Sequence, residues 1–129
     1  MNKLFYPAVF HKAEEGGFWV EFPDIPECQT QGDDMQQAYE MAVEALGLFL
    51  TTLEAAGETF PVMSAPDKIQ VQDGFLVVIE FDMMEYRRKH CSRAVKKTLS
   101  IPEWLNEAAT RAGINFSQVL QEALMEKVK

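Results

Sequence analysis

The chain holds only two cysteines and two histidines, and their placement excludes the usual roles. Cys28 and Cys91 are far apart with no CxxC spacing, and His11 and His90 fall in no ligand pattern, so neither a metal site nor a structural disulfide is expected. Long hydrophobic runs are missing too. Nothing approaches the roughly 20 apolar residues of a membrane span, and MNKLFYPAVFHKAEEGG lacks the apolar core and cleavage site of a signal peptide, so the expected location is cytoplasmic. Basic residues are nearly absent from the first two thirds: residues 1–86 carry Lys3, Lys12 and Lys68 against sixteen carboxylates, a net −13. Residues 87–129 reverse the sign, with nine Lys or Arg against four Glu, a net +5. An acidic body repels nucleic acid and a basic tail attracts it. What the chain does not lack is hydrophobic content, 47% with 11% aromatic, which excludes disorder. Its 129 residues fit one domain, or a small domain plus an appendage too short to bury a core by itself.

In the body, strict alternation puts Leu4, Tyr6, Ala8 and Phe10 on one face of a first strand, with Pro7 suited to an edge or bulge. Glu14 to Gly17 make a turn into a second strand with Phe18, Val20 and Phe22 inward and Trp19 and Glu21 opposite. PDIPE interrupts it, and Cys28–Gln31 is expected as a short third strand. A helix follows, capped by Asp34, with Gln37 placed to bond back to the cap's own N–H. Its stripe runs from Met35 through Ala38, Ala42, Leu46 and Leu50 to Leu53, and Gly57 is the expected stop. Ile69–Val71 is a candidate short strand, joined through Asp73-Gly74 to Phe75–Phe81. That last run is apolar on both faces and so is expected near the centre of the sheet, covered on both sides. The order is β-β-β-α-β. Met83 to Ala94, with four cations and little periodicity, reads as a boundary, and residues 87–94 as a basic linker.

The tail, residues 95–129, reads as one strand, Lys96–Ile101, and two helices separated by Gly113. Pro102-Glu103 opens the first and Asn115 caps the second. A lone strand leaves its ladder groups unpaired, and about 35 residues cannot bury a core alone, so the tail needs a partner. If two copies pair antiparallel, Leu99 and Ile101 enter a shared core with Leu120 and Leu124. Lys96, Thr98 and Ser100 then line a polar two-stranded ribbon of a size that fits the DNA major groove. The start of the second helix, at Asn115 and Ser117, is placed to hold a phosphate.

VKKTLSIPEWLNEAATRAGINFSQVLQEAL resembles the ribbon-helix-helix family of dimeric DNA-binding domains, over about the last quarter of the chain. The body resembles the HicB family of antitoxins in its glycine-aromatic strand, FPDIPEC, TQGD turn and acidic amphipathic helix. Together the resemblances imply an α+β protein with two parts: a partial RNase H-like domain (β-β-β-α-β) over residues 1–86, and a ribbon-helix-helix (β-α-α) dimerisation domain over residues 95–129. They imply an antitoxin that masks a HicA-type mRNA-cleaving toxin and represses its own operon by binding double-stranded operator DNA as a homodimer or higher oligomer. The family offers no compact motif for the toxin contact; Asp24, Glu27, Asp33 and Asp34 form a candidate acidic rim, with solvated turn and cap residues as the bland alternative. On the DNA-facing strand, Lys96, Thr98 and Ser100 depart from the Arg, Asn or Gln common in ribbon-helix-helix proteins.

Three other readings compete. A nuclease would need carboxylates converging on metal ions about 4 Å apart, whereas Glu21, Asp24, Asp33 and Asp34 fall on turns and a strand edge, so no catalytic residue, metal or cofactor is assigned. A helix-turn-helix would read DNA through the second tail helix, whose exposed face carries Ser117, Gln118, Gln121 and Glu122 and no cation before Lys127. A stand-alone dimeric regulator, or an adaptor whose tail only dimerises, would have no toxin or no operator respectively.

Overall fold

The computed structural model of the chain describes residues 3–128; Met1, Asn2 and Lys129, the outermost residues of the expected body and tail, lie outside the described residues. Two compact units meet between Ser92 and Arg93. The first is a four-stranded antiparallel sheet in the order β3-β2-β1-β4 with helices packed on it. Its strands are β1 (Lys3–Lys12), β2 (Phe18–Phe22), β3 (Ile25–Gly32) and β4 (Phe75–Asp82), and a long helix α1 (Met35–Ala55) joins β3 to β4. The protein is thus a mixed α+β fold.

Alternation sets the core. Tyr6, Ala8 and Phe10 of β1, Val20 and Phe22 of β2, and Ile79 and Phe81 of β4 are buried with Ala38, Ala42, Leu46 and Leu50 of α1. Small residues at 38 and 42 let the helix approach the sheet closely, while Leu46 and Leu50 fill the space further along. Asp34 caps α1, accepting from the Gln37 N–H at 2.7 Å. The reciprocal bond shifts by one residue, because Gln37 Oε1 accepts from the Asp33 N–H and not from the cap's own. Gly57, at φ +72°, ends the helix as expected.

Several expectations change. β3 begins at Ile25 and not at Cys28: Phe22 pairs with Ile25 while Glu21 already pairs with Gln29, so Pro26, Glu27 and Cys28 form a bulge. A proline that cannot donate to the ladder is tolerated there. Cys28 is buried, and desolvation pushes its thiol up to about 11; Cys91 is exposed and both are free. Ile69–Val71 is not a strand, and a 3₁₀ turn, Pro66–Lys68, precedes it. β4 is an edge strand, not a central one, and Val78 is 38% exposed. On β1, only Val9–Lys12 pair with β2, so Pro7 sits where the β2 side of β1 has no ladder, which suits its missing N–H.

The connection from α1 to β4 fills that gap. Tyr6 donates its hydroxyl to the Pro61 carbonyl at 2.6 Å, the Phe5 N–H points to Met63 Sδ at 3.2 Å, and Ser64 donates from its N–H to Asp24 at 2.9 Å. At the other end His11 Nδ1 donates to the Asp73 carbonyl at 2.8 Å, which fixes the Nδ1–H tautomer. The His11 ring stacks on Trp19, centroids 3.9 Å apart. Pro7 and Val9 face away from α1 yet are buried, and this tethered strap is what can cover them.

Residues 87–90, expected to open a basic linker, instead complete a helix, α2 (Met83–His90), within the first unit. Asp82 caps it, accepting from Met84 and Glu85. Gly47 explains the docking: a Cβ there would lie 2.2 Å from the Tyr86 ring, so a residue that is costly in mid-helix is needed for the ring to lie against α1. Arg87 pairs with Glu54, Lys89 Nζ is 3.0 Å from Glu44 Oε1, and His90 Nε2 is 2.9 Å from Glu44 Oε2. The Lys89 hydrogen bond, helped by the charges of His90 and Lys89, holds the Glu44 carboxyl below its usual 4.5. A depressed carboxylate stabilises the fold above its unfolded pKa and loses that contribution as pH falls through the folded one. Glu44→Gln is therefore expected to lower stability at pH 7 by a few tenths to about 1 kcal/mol. In acid, once the pH has fallen below the lowered Glu44 pKa, the variant and the parent should unfold together, and thermal melts from pH 7 down an acid series check this.

The second unit holds α3 (Glu103–Arg111) and α4 (Phe116–Val128). Gly113, at φ +68°, turns the chain between them. Lys96–Ile101, expected as a strand, has no ladder partner among the described residues and is not one here. That follows from the same physics that made the tail need a partner: a strand exists only where something pairs with it.

Candidate interaction surfaces

With α2 assigned to the body, the charge divides differently. Residues up to 92 hold six Lys or Arg against sixteen carboxylates, −10, and residues from 93 hold six against four, +2. The cations of α2 are largely spent on Glu44, Glu54 and Glu85 of the same unit. The sign asymmetry persists, but the tail's excess is small and any attraction to DNA must come from how its charges are placed.

In the tail, Leu99, Ile101, Leu105, Ala109, Ile114 and Leu120 line one open groove, together with Lys97 and residues of the α4 start. Lys96, Thr98 and Ser100 do not line it. Odd-numbered residues of the segment thus face the apolar side and even-numbered ones do not, the parity expected of a strand. Leu99 is 56% and Ile101 49% exposed in the single chain, and Leu124 is exposed as well. Among the described residues of the tail only Ala109 and Leu120 are even half-buried. So the four residues expected in a dimer core are uncovered or half-covered in one subunit, and a unit that buries no large apolar side chain cannot hold itself together in water. Asn115 caps α4, accepting from the Gln118 N–H at 3.1 Å. The first-turn N–H groups at Phe116 and Ser117 have no partner within the helix ladder. The Gln118 side chain is bonded to Glu122 at 3.2 Å along the helix surface.

The acidic candidates on the body do not form one rim. Asp24 and the Asp33-Asp34 pair sit at opposite ends of β3, on the order of 20 Å apart along the strand. Asp34 is engaged as the cap, and Asp24 accepts two bonds from Ser64. Only Glu27, on the bulge, and the Asp33 carboxylate have no structural task recorded in these bonds. Among the described residues no three His, Cys, Asp or Glu side chains converge to hold a metal ion, and no helix is long and apolar enough to cross a membrane.

Sequence reasoning missed an apolar cluster on the body. Phe5 is 49%, Val62 80% and Met63 46% exposed. Met63 meets the Phe5 backbone, and Val78 lies diagonal to Phe5 on the same face of β1–β4. The signal available was PVMSAP, two large apolar residues in a loop bounded by prolines, where no periodicity places them in a core.

The family described as "HicB_like antitoxin of bacterial toxin-antitoxin system" matches residues 6–124 of the chain. Antitoxin HicB 1 of Photorhabdus laumondii is 56% identical over 46 residues, which is 36% of this chain and 30% of that protein; the chain therefore aligns with less than a third of that relative's length. Among solved structures, a toxin-antitoxin complex from Streptococcus pneumoniae superposes with a TM-score of 0.57 at 28% identity, over 97% of this chain and 99% of the other. A HicA3 and HicB3 toxin-antitoxin complex gives 0.52 at 28% identity, over 61% and 99%.

Proposed function

This chain belongs to the HicB-like antitoxin family, a family of regulatory proteins and not of enzymes, and from that premise we propose that it neutralises a HicA-type, mRNA-cleaving toxin and represses the operon encoding the pair. The observation that carries the reading is a family match running through both units, residues 6–124, together with likeness to chains solved in toxin-antitoxin complexes.

The division of labour follows the charge. A protein that grips RNA presents cations to phosphates, and a body of net −10 both attracts such a surface and keeps off the RNA that competes for it. Glu27 and Asp33 are the acidic candidates with side chains free for that role, with Asp24 and Asp34 supplying charge from their fixed positions. We read the body's β-β-β-α-β order as the partial RNase H-like scaffold that the resemblance implies. In the tail, two copies pair Lys96–Ile101 antiparallel. Leu99, Ile101, Leu120 and Leu124 then close over one another, and Lys96, Thr98 and Ser100 form the ribbon that enters the major groove of operator DNA. The α4 starts, capped by Asn115 and carrying Ser117, hold the flanking phosphates. Such pairing makes the complex contain at least two antitoxins, and both partners, operator DNA and a toxin that acts on mRNA, belong to the cytoplasm.

Co-expression tests the reading. Induction of the HicA-type toxin encoded with this chain is expected to arrest growth, and co-induction of the chain to restore it. Arrest that persists at equal expression of both proteins contradicts the antitoxin assignment and favours a stand-alone regulator.

A further inference from the structure

We propose that the exposed cluster of Phe5, Val62, Met63 and Val78 is the apolar anchor point for the toxin; this rests on the reading above and gives the body's partner a place to dock. Scattered apolar residues on a surface mean little. These four adjoin, and the loop that carries two of them is held at three points, by Tyr6 to Pro61, Phe5 to Met63 and Ser64 to Asp24. Val62 is thus displayed at 80% exposure on a tethered platform, so little ordering cost remains to be met on binding.

The rim identifies the occupant. Glu80, across the strand pair from Phe5, and Asp24, bonded to the loop through Ser64, flank the cluster, and Glu80 is paired with Lys3 at 2.9 Å. An apolar centre beside two carboxylates, on a body of net −10, suits a protein with an apolar knob among cations. A second copy of the body would bring −10 against −10, and nucleic acid or an anionic bilayer is repelled in the same way. A cationic protein is the occupant that both features admit.

The test is calorimetric titration of the full chain with purified HicA-type toxin from the same operon, using Phe5→Asp, Val62→Asp and, as a control on the exposed side of α1, Leu48→Asp. Removing a central anchor is expected to weaken toxin binding about thirtyfold or more for Phe5→Asp and Val62→Asp, with thermal unfolding unchanged for Val62→Asp, whose side chain is 80% exposed, and Leu48→Asp should bind as the parent does. Parent-like affinity in both cluster variants overturns the docking site while leaving the antitoxin reading intact. Failure of the parent chain itself to bind overturns that reading and the site with it. A drop in the chain's sedimenting mass in Phe5→Asp, with toxin affinity unchanged, assigns the cluster to self-association and also overturns the proposal.

Discussion

Leu99→Asp is expected to convert the chain to single subunits and to abolish operator binding, while each body keeps its affinity for toxin. Leu99 is more than half exposed in one subunit and lines the tail's groove with Ile101, Leu105 and Leu120. In the paired tail it meets the partner's apolar residues, and by two-fold symmetry one substitution buries two carboxylates. Each unpaired polar group costs about 2 kcal/mol or more when taken from water, so the pair should raise the dissociation constant by about a thousandfold. DNA binding falls with it, because half a ribbon presents half the contacts. Sedimentation and a mobility-shift assay on the operator check the two losses separately. A dimer that survives Leu99→Asp would remove the apolar seam from the account.

The second large effect concerns which element reads the DNA. Lys96→Ala and Thr98→Ala are each expected to weaken specific operator binding about 10- to 100-fold, the range for one base-edge contact. Lys96→Ala should also reduce the slope of log affinity against log salt by about one if its ammonium lies on a phosphate instead. Gln118→Ala should change affinity by less than about threefold, since its side chain is bonded to Glu122 and the α4 face around it offers no cation. With the tail carrying a net of only +2, bulk attraction is weak and the loss of a single placed lysine is correspondingly visible. The reverse order of effects would mean that α4 enters the groove as a recognition helix. An operator that never shifts, at any salt, would leave the tail as a dimerisation module alone.

The body was legible where local pattern and tertiary demand agree. The alternation of Tyr6, Ala8 and Phe10, the stripe from Ala38 to Leu50, the Asp34 cap and the Gly57 stop all have short-range causes, and each stands where the sequence put it. Errors arose where distant partners decide. The run Phe75–Phe81 looks like a central strand, but it is an edge strand, and the connection leading to it is tied by His11 to Asp73, a contact 62 residues apart that no periodicity announces. Residues 83–94 read as a boundary, with linker from 87, because the apolar content before the cations is one methionine pair and Tyr86; what makes residues 83–90 a docked helix is Gly47 in α1 and the acids Glu44 and Glu54. The acidic rim failed for a simpler reason: residues close in sequence across β3 end at opposite ends of a strand. In the tail, the helices and their boundaries followed from Pro102, Gly113 and Asn115, while the proposed strand needs a second chain to pair with.

Sedimentation equilibrium of the full chain at micromolar concentration tests the central claim, that the tail is half of a shared structure, most directly. The account requires twice the mass of one chain, or an even multiple of it. A single species of one-chain mass, stable across that range, would contradict it.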